Sequence, residues 1–178
     1  MGTPPAASYL HEGITVIGDS VTMGARRKMM ETIPNCIINA EGSRQMAEGY
    51  KLLMQLQNNN SLREYVIIAL GTNANSNAPG FIEKIITDIR PGHRLIFVTP
   101  FNAAMNSSWI TYRIMQYIRT LPENYPFVTV ADWAALVVNQ PEIFGSDKVH
   151  IGGTPRAINL YVNMIIEAID TAGIKPAK

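Results

Sequence analysis

The sequence predicts an α/β fold in which helices cover both faces of a parallel sheet. Apolar runs of four to six residues alternate with longer segments whose apolar positions recur at helical spacing. The run Tyr65-Val66-Ile67-Ile68-Ala69-Leu70 is almost unbroken, as in a strand buried on both faces. Gly, Pro and Asn punctuate the junctions between these segments.

Residues 1–12, rich in Pro and Ala, read as a linker or cloning remnant, and residues 13–178 as one domain. Ile14-Thr15-Val16-Ile17-Gly18 is the first strand, and a helix follows over about 23–32, ending before Ile33-Pro34 because a residue preceding proline avoids helical backbone angles. Cys36-Ile37-Ile38-Asn39 is a short second strand. Met46, Leu53, Met54 and Leu56 then mark a second helix that stops in Asn58-Asn59-Asn60. The buried strand over 65–70 ends at Gly71-Thr72-Asn73, and Phe81, Ile82, Ile85, Ile86 and Ile89 mark a third helix, broken at Pro91-Gly92. Leu95 to Val98 is a fourth strand, Trp109 to Leu121 a fourth helix and Phe127 to Val130 a fifth strand. After a loop, Thr154 caps a last helix that has Pro155 at its first position and runs to about Ala172. Alternation of this kind gives a three-layer α/β/α sandwich, and five strands favour the flavodoxin-like order 2-1-3-4-5.

With 15 Lys and Arg against 14 Asp and Glu, the chain has no charge excess to drive nucleic-acid binding. No apolar run reaches membrane-spanning length. The single Cys36 excludes an internal disulfide, and the three scattered histidines make no zinc-spaced cluster, so neither metal nor cofactor is implied.

In a doubly wound sheet, ligands sit beyond the carboxyl ends of the strands. That rule gathers Ser20, Ser43, Asn73, Phe101-Asn102 and the loop holding Asp147 and His150 on one rim, and sends His11, Cys36 and His93 to the other. Ser20 follows the first strand at a helix N-terminus, where free N–H groups and the helix dipole favour an oxyanion; capping is the plainer role for Asp19 or Ser20. His150 is the one histidine left to serve Ser20 as base. Asp147, three residues earlier, can receive its Nδ1–H; Asp132 is the other acid on this rim, favoured less because the Asp147 spacing is local. The Asn73 carboxamide, with the backbone N–H groups of Ser20 and Ser43, would make a three-donor oxyanion hole, each donor worth about 3–4 kcal/mol of barrier. Asn73 also suits a plain turn, and Gly42 a tight one. Phe101, Trp109 and Tyr112 fit either a sugar-stacking surface or the core.

In order, Gly18-Asp19-Ser20-Val21, Ser43-Arg44-Gln45, Gly71-Thr72-Asn73 and Asp147-x-x-His150 resemble the sequence blocks of the SGNH (GDSL-type) hydrolase superfamily over nearly the whole chain. With Leu70-Gly71-Thr72-Asn73 and Asp132-Trp133 added, the chain resembles more specifically the extracellular C-terminal domain of Gram-positive peptidoglycan O-acetyltransferases. Two departures stand out. Ser43 occupies the usual glycine of the second block, leaving Gly42 as the alternative donor, and the third block reads Gly-Thr-Asn-Ala where esterases have Gly-x-Asn-Asp, as the acetyltransferase domains also do.

The resemblance implies that Ser20 is the nucleophile, His150 the base and Asp147 its orienting acid, with Ser20, Ser43 and Asn73 as the oxyanion hole. It also implies an acetyl donor, the C6 hydroxyl of N-acetylmuramic acid in peptidoglycan as acceptor, an acetyl-serine intermediate and an esterase side activity. Asn102 and Trp109 are the candidate substrate contacts. In that family an integral-membrane acyltransferase domain precedes this one, at the extracellular face of a Gram-positive membrane. The alternatives are an SGNH esterase of carbohydrate or lipid esters and a glycan-binding module without catalysis.

Overall fold

The computed structural model describes residues 9–178. Five strands, β1 (His11–Gly18), β2 (Cys36–Ala40), β3 (Arg63–Ala69), β4 (Arg94–Val98) and β5 (Val128–Ala131), form one sheet in the order β2-β1-β3-β4-β5. Every pairing is parallel. Six helices connect or follow them: α1 (Ser20–Thr32), α2 (Met46–Asn58), α3 (Ala78–Asp88), α4 (Ile110–Asn124), α5 (Trp133–Val137) and α6 (Pro155–Ile174). The order foreseen from the alternation is the order found.

The period-two geometry of the strands explains the unbroken apolar runs. Val16, Ile67 and Ile96 point into one core with α1, α5 and α6. Their neighbours Ile17, Val66, Ile68 and Phe97 point into the other, against α2, α3 and α4. Both layers are closely covered, and these strand side chains have no exposed surface. The chain goes from β1 to β2 on one side and then returns past β1 to β3, so the carboxyl ends of β1 and β3 flank the point where the winding reverses.

Several boundaries differ from expectation. Helix α1 begins at Ser20 because Asp19, in extended conformation, accepts the Val21 N–H on Oδ1 at 3.0 Å and satisfies a first-turn donor. Helix α3 starts at Ala78, with Pro79 in its first turn. Helix α4 carries on through Pro122 to Asn124, and the Tyr125 N–H closes its last turn on Leu121 O. The stretch expected to be loop after β5 contains α5 and a 3₁₀ turn over Pro141–Ile143, both too short for apolar periodicity to register. Thr154 holds the cap position of α6 without a capping side-chain bond. Strand β1 begins at His11, inside the segment read as linker; residues 1–8 of that reading lie outside the described residues.

On the rim opposite Ser20, Tyr9 Oη donates to Pro91 O at 2.9 Å, and Gly92 N–H donates to Lys178 O at 2.7 Å. Lys178 Nζ donates to the carbonyls of Ile86, Thr87 and Ile89 at the end of α3. His93 is buried on the same rim, with Nδ1 2.8 Å from Arg63 O.

Two glycines set the upper rim. A Cβ on Gly18 would lie 2.4 Å from Thr22 Oγ1, so only glycine lets β1 pass this close to the first turn of α1. Gly71 has φ +122°, and a Cβ there would lie 2.9 Å from Pro100 Cγ. Replacing Gly18 by Ala should therefore destabilise the fold by about 1–3 kcal/mol through overpacking. A thermal melt would register a drop of several degrees, and an unchanged midpoint would contradict the close-packing account.

Candidate active site

The rim above β1, β3 and β4 brings Ser20, Asp147 and His150 together. His150 Nε2 lies 2.8 Å from Ser20 Oγ, and His150 Nδ1 lies 2.6 Å from Asp147 Oδ2. Asp147 Oδ1 also accepts the N–H groups of Val149 and His150, each at 3.0 Å. The His150 N–H first, then its imidazole and the Val149 N–H, hold the Asp147 carboxyl well below the usual carboxylate range. A carboxylate in that state has no proton to give, so Nδ1 is the donor and Nε2 is left to accept from the Ser20 hydroxyl. The imidazole and carboxylate remain about half exposed, with side-chain accessibilities of 48% and 53%.

The loop carrying this pair is stapled at several points. Gly145 N–H donates to His150 O at 2.9 Å, Lys148 N–H to Gly145 O at 2.9 Å, and Ala103 N–H to Lys148 O at 3.0 Å. Lys148 takes φ +64°, which turns the chain between Asp147 and His150. Beneath the loop, Phe144 packs on Phe101 and on the edge of Trp133, and Trp133 packs on Tyr161. Asp132, the rival acid, is taken up elsewhere: Arg119 grips both of its oxygens at 2.8 and 3.0 Å, Thr99 donates to Oδ1, and the same oxygen caps α5 through Ala135 N–H.

The second and third blocks lie on the same rim. Ser43 adopts φ +59° in the turn that closes with Arg44 N–H on Glu41 O. Gly42 in that turn has open space where a Cβ would be. Asn73 Nδ2 is covered from solvent yet has no hydrogen-bond partner among the described residues. An amide donor left unspent in this way is costly unless something else uses it. Asn102 accepts the Ala104 N–H on its side chain and lines a groove of about 510 Å³ with Met105, Tyr112, Met115, Gln116 and Arg119. Trp109 precedes α4, about two-fifths exposed, and is not part of that groove's lining. Among the described residues, no group of three or more His, Cys, Asp or Glu side chains is placed to hold a metal ion.

Sequence reasoning overlooked how deeply Asp19 is buried. Of the Asp19-Ser20 pair, Asp19 caps α1 and Ser20 faces His150. The cap carboxylate is 2% exposed, and Thr72 lies near it without meeting hydrogen-bond geometry at Oδ2, which is left unpaired. Burial pushes its pKa up to about 6, against the Val21 hydrogen bond and the nearby imidazole, which favour the charged form. In an unfolded chain the same group titrates near 3.9. Between about pH 4 and 6 the folded state therefore binds the extra proton. This contribution to stability is fully present below about pH 4 and is lost as pH rises through about 6, on the order of 3 kcal/mol in all. Asp19→Asn keeps an acceptor for Val21 and removes the titration. Its melting temperature relative to the unaltered chain should rise between pH 4 and pH 7, whereas parallel curves would contradict a raised Asp19.

No family model matches the sequence. The chain is similar to the C-terminal catalytic domain of Streptococcus pneumoniae peptidoglycan O-acetyltransferase A, whose structure was solved with a methylsulfonyl adduct. The TM-score is 0.87 and the identity 31%, over 94% of this chain and 97% of that one. It is 26% identical over 154 residues to the peptidoglycan O-acetyltransferase OatA of Listeria monocytogenes, which covers 86% of this chain. The chain spans 23% of the length of the curated relatives it matches. A GDSL-like lipase from Bacteroides thetaiotaomicron shares the fold, with a TM-score of 0.65 and 16% identity over 90% of this chain and 89% of that one. With both the strand order and the pneumococcal domain in agreement, the chain belongs to the family of peptidoglycan O-acetyltransferase A catalytic domains, which have the SGNH (GDSL-type) hydrolase fold.

Proposed function

We propose that this chain is a serine-dependent O-acetyltransferase that moves an acetyl group onto a peptidoglycan sugar, the C6 hydroxyl of N-acetylmuramic acid. The observation that carries the reading is the continuous contact Ser20 Oγ–His150 Nε2–Asp147, 2.8 and 2.6 Å, between residues 130 positions apart. In the first half-reaction His150 takes the Ser20 proton as Oγ attacks the acetyl carbonyl, and the leaving group of the donor departs with that proton. In the second, His150 takes a proton from the acceptor hydroxyl, which attacks the acetyl-serine, and Ser20 Oγ recovers the proton. Negative charge on the tetrahedral oxygen is met by the backbone N–H groups of Ser20 and Ser43 and by Asn73 Nδ2, whose unspent donor capacity supports this role.

Residues 13–178 act in this reading as the acyl-transfer domain, joined through a linker to an integral-membrane acyltransferase at the outer face of a Gram-positive cell. Among the described residues no helix is long and apolar enough to cross a membrane. The groove beside Asn102 is the place for acceptor sugar units, with Trp109 at the approach to α4.

A second reading, SGNH esterase, has one observation in its favour. His150 is half open to solvent, so water can replace the sugar hydroxyl in the second half-reaction. Incubation with an activated aryl acetate and a chitooligosaccharide or muroglycan acceptor separates the two: acetylated sugar in the mass spectrum supports transfer, and acetate alone supports hydrolysis. Ser20→Ala should abolish acetyl release from the aryl ester, and acetyl should be recovered on the Ser20 peptide of the unaltered chain. Retention of most of the rate would reject covalent catalysis, and a Ser20 that fails to react with a fluorophosphonate would favour a glycan-binding module. Asp147→Asn keeps one oxygen for the Val149 and His150 N–H groups but sets an amide donor against Nδ1, which imposes the wrong imidazole tautomer, and should lower kcat by roughly 10²–10⁴-fold. A fall of less than threefold would assign His150 another orienting partner.

A further inference from the structure

Arg44 is buried, 8% exposed, next to a site in which no role has so far fallen to it. Its guanidinium makes four hydrogen bonds. Nη1 donates to Asn39 O at 2.7 Å and to Gly18 O at 3.2 Å, while Nη2 donates to Asn39 Oδ1 at 2.9 Å and to Glu41 Oε2 at 3.0 Å. Gly18 O also accepts the Glu41 N–H at 3.2 Å. One carbonyl, two residues before Ser20, is thus tied to both ends of the turn that holds Ser43 at φ +59°. The next residue, Gln45, continues the frame: its Oε1 accepts from Asn75 Nδ2, and its N–H donates to Glu48 Oε2 at the start of α2. Asn75 lies two residues beyond Asn73. The fork therefore connects the Ser43 turn to the strand end before Ser20, and the adjacent Gln45 connects that turn to the loop carrying Asn73 through Asn75.

We propose that Arg44 is the positioning residue of the oxyanion hole: its planar fork locks the Ser43 turn to the Gly18 carbonyl and so sets the distance from the Ser43 N–H to the oxygen that becomes charged during acyl transfer. The proposal rests on the oxyanion-hole reading above. Lysine keeps the charge but gathers its three donors on one nitrogen and cannot reproduce the two-nitrogen fork that reaches Gly18 and Asn39 from Nη1 and Asn39 and Glu41 from Nη2. A donor displaced by a fraction of an ångström acts on the transition state and hardly on the bound ester.

The test is steady-state hydrolysis of an aryl acetate by Arg44→Lys and Asn73→Ala, with rates expressed per Ser20 titrated by a fluorophosphonate so that unfolded protein does not count. Arg44→Lys should lower kcat by about 10–100-fold, with KM within twofold and the pH profile of kcat/KM unmoved, since His150 and Asp147 are untouched. Asn73→Ala should lower kcat by about 10²–10³-fold. Loss in Asn73→Ala with full kcat in Arg44→Lys would overturn the positioning role and leave the oxyanion hole standing. Full kcat in Asn73→Ala would overturn the hole itself and the proposal with it. If Arg44→Lys does not fold, Asn39→Ala combined with Glu41→Ala removes both Nη2 anchors from exposed positions. A kcat at least threefold lower at constant KM then supports the proposal, and an unchanged kcat overturns it.

Discussion

A single hydrogen bond, from Ser20 Oγ to His150 Nε2, joins residues separated by 130 positions, and nothing local holds either end in place for the other. Its length depends on where β1 stops, on how α1 leaves the sheet, and on how the loop before α6 folds back over the rim. The first is fixed by pairing on both sides, since β1 lies between β2 and β3. The second is fixed by Asp19, which ends the strand and caps the helix within one residue. The third is fixed by aromatic packing from Phe101 through Phe144 and Trp133 to Tyr161, together with the turn bonds around Asp147. Close backbone contact helps as well: a Cβ on Gly24, one turn after Ser20, would lie 3.2 Å from Gly152, two residues after His150.

This arrangement puts opposite electrostatic demands on two aspartates near the same imidazole. Asp147 is exposed and surrounded by donors, so it stays ionised and holds the ring in one tautomer. Asp19 is buried with one oxygen unpaired, and burial outweighs its hydrogen bond. The first is cheap to keep charged and acts directly on His150. The second is costly to keep charged and is retained for the geometry of the strand-to-helix turn, a local expense of the kind that functional sites carry.

Much of this was legible in the sequence because it depends on short-range pattern. Runs such as Tyr65–Leu70 announce a doubly buried strand, and the alternation of strand and helix leaves few sheet orders to choose from. Asp147-x-x-His150 was readable because its bond is local, and Ser20 because it follows a strand and opens a helix. Length hid α5, which at five residues shows less than two full turns of periodicity. Long-range contact hid the rest. Arg44 looks like any surface arginine in a polar turn until the fold carries Gly18 and Asn39 to it, and the depth of Asp19 emerges only when Thr72, Phe101 and Tyr161 close around the same small cavity.

The bonds among Tyr9, Pro91, Gly92 and Lys178 gather the entry of β1 and the exit of α6 into one corner of the lower rim. Eight residues of β1 rise from that corner toward Ser20, about 26 Å at the usual strand rise. A support, a scaffold or a neighbouring polypeptide gripping the protein by this corner would display Ser20 and His150 on the far side, like a stamp held by its handle, leaving the upper rim open.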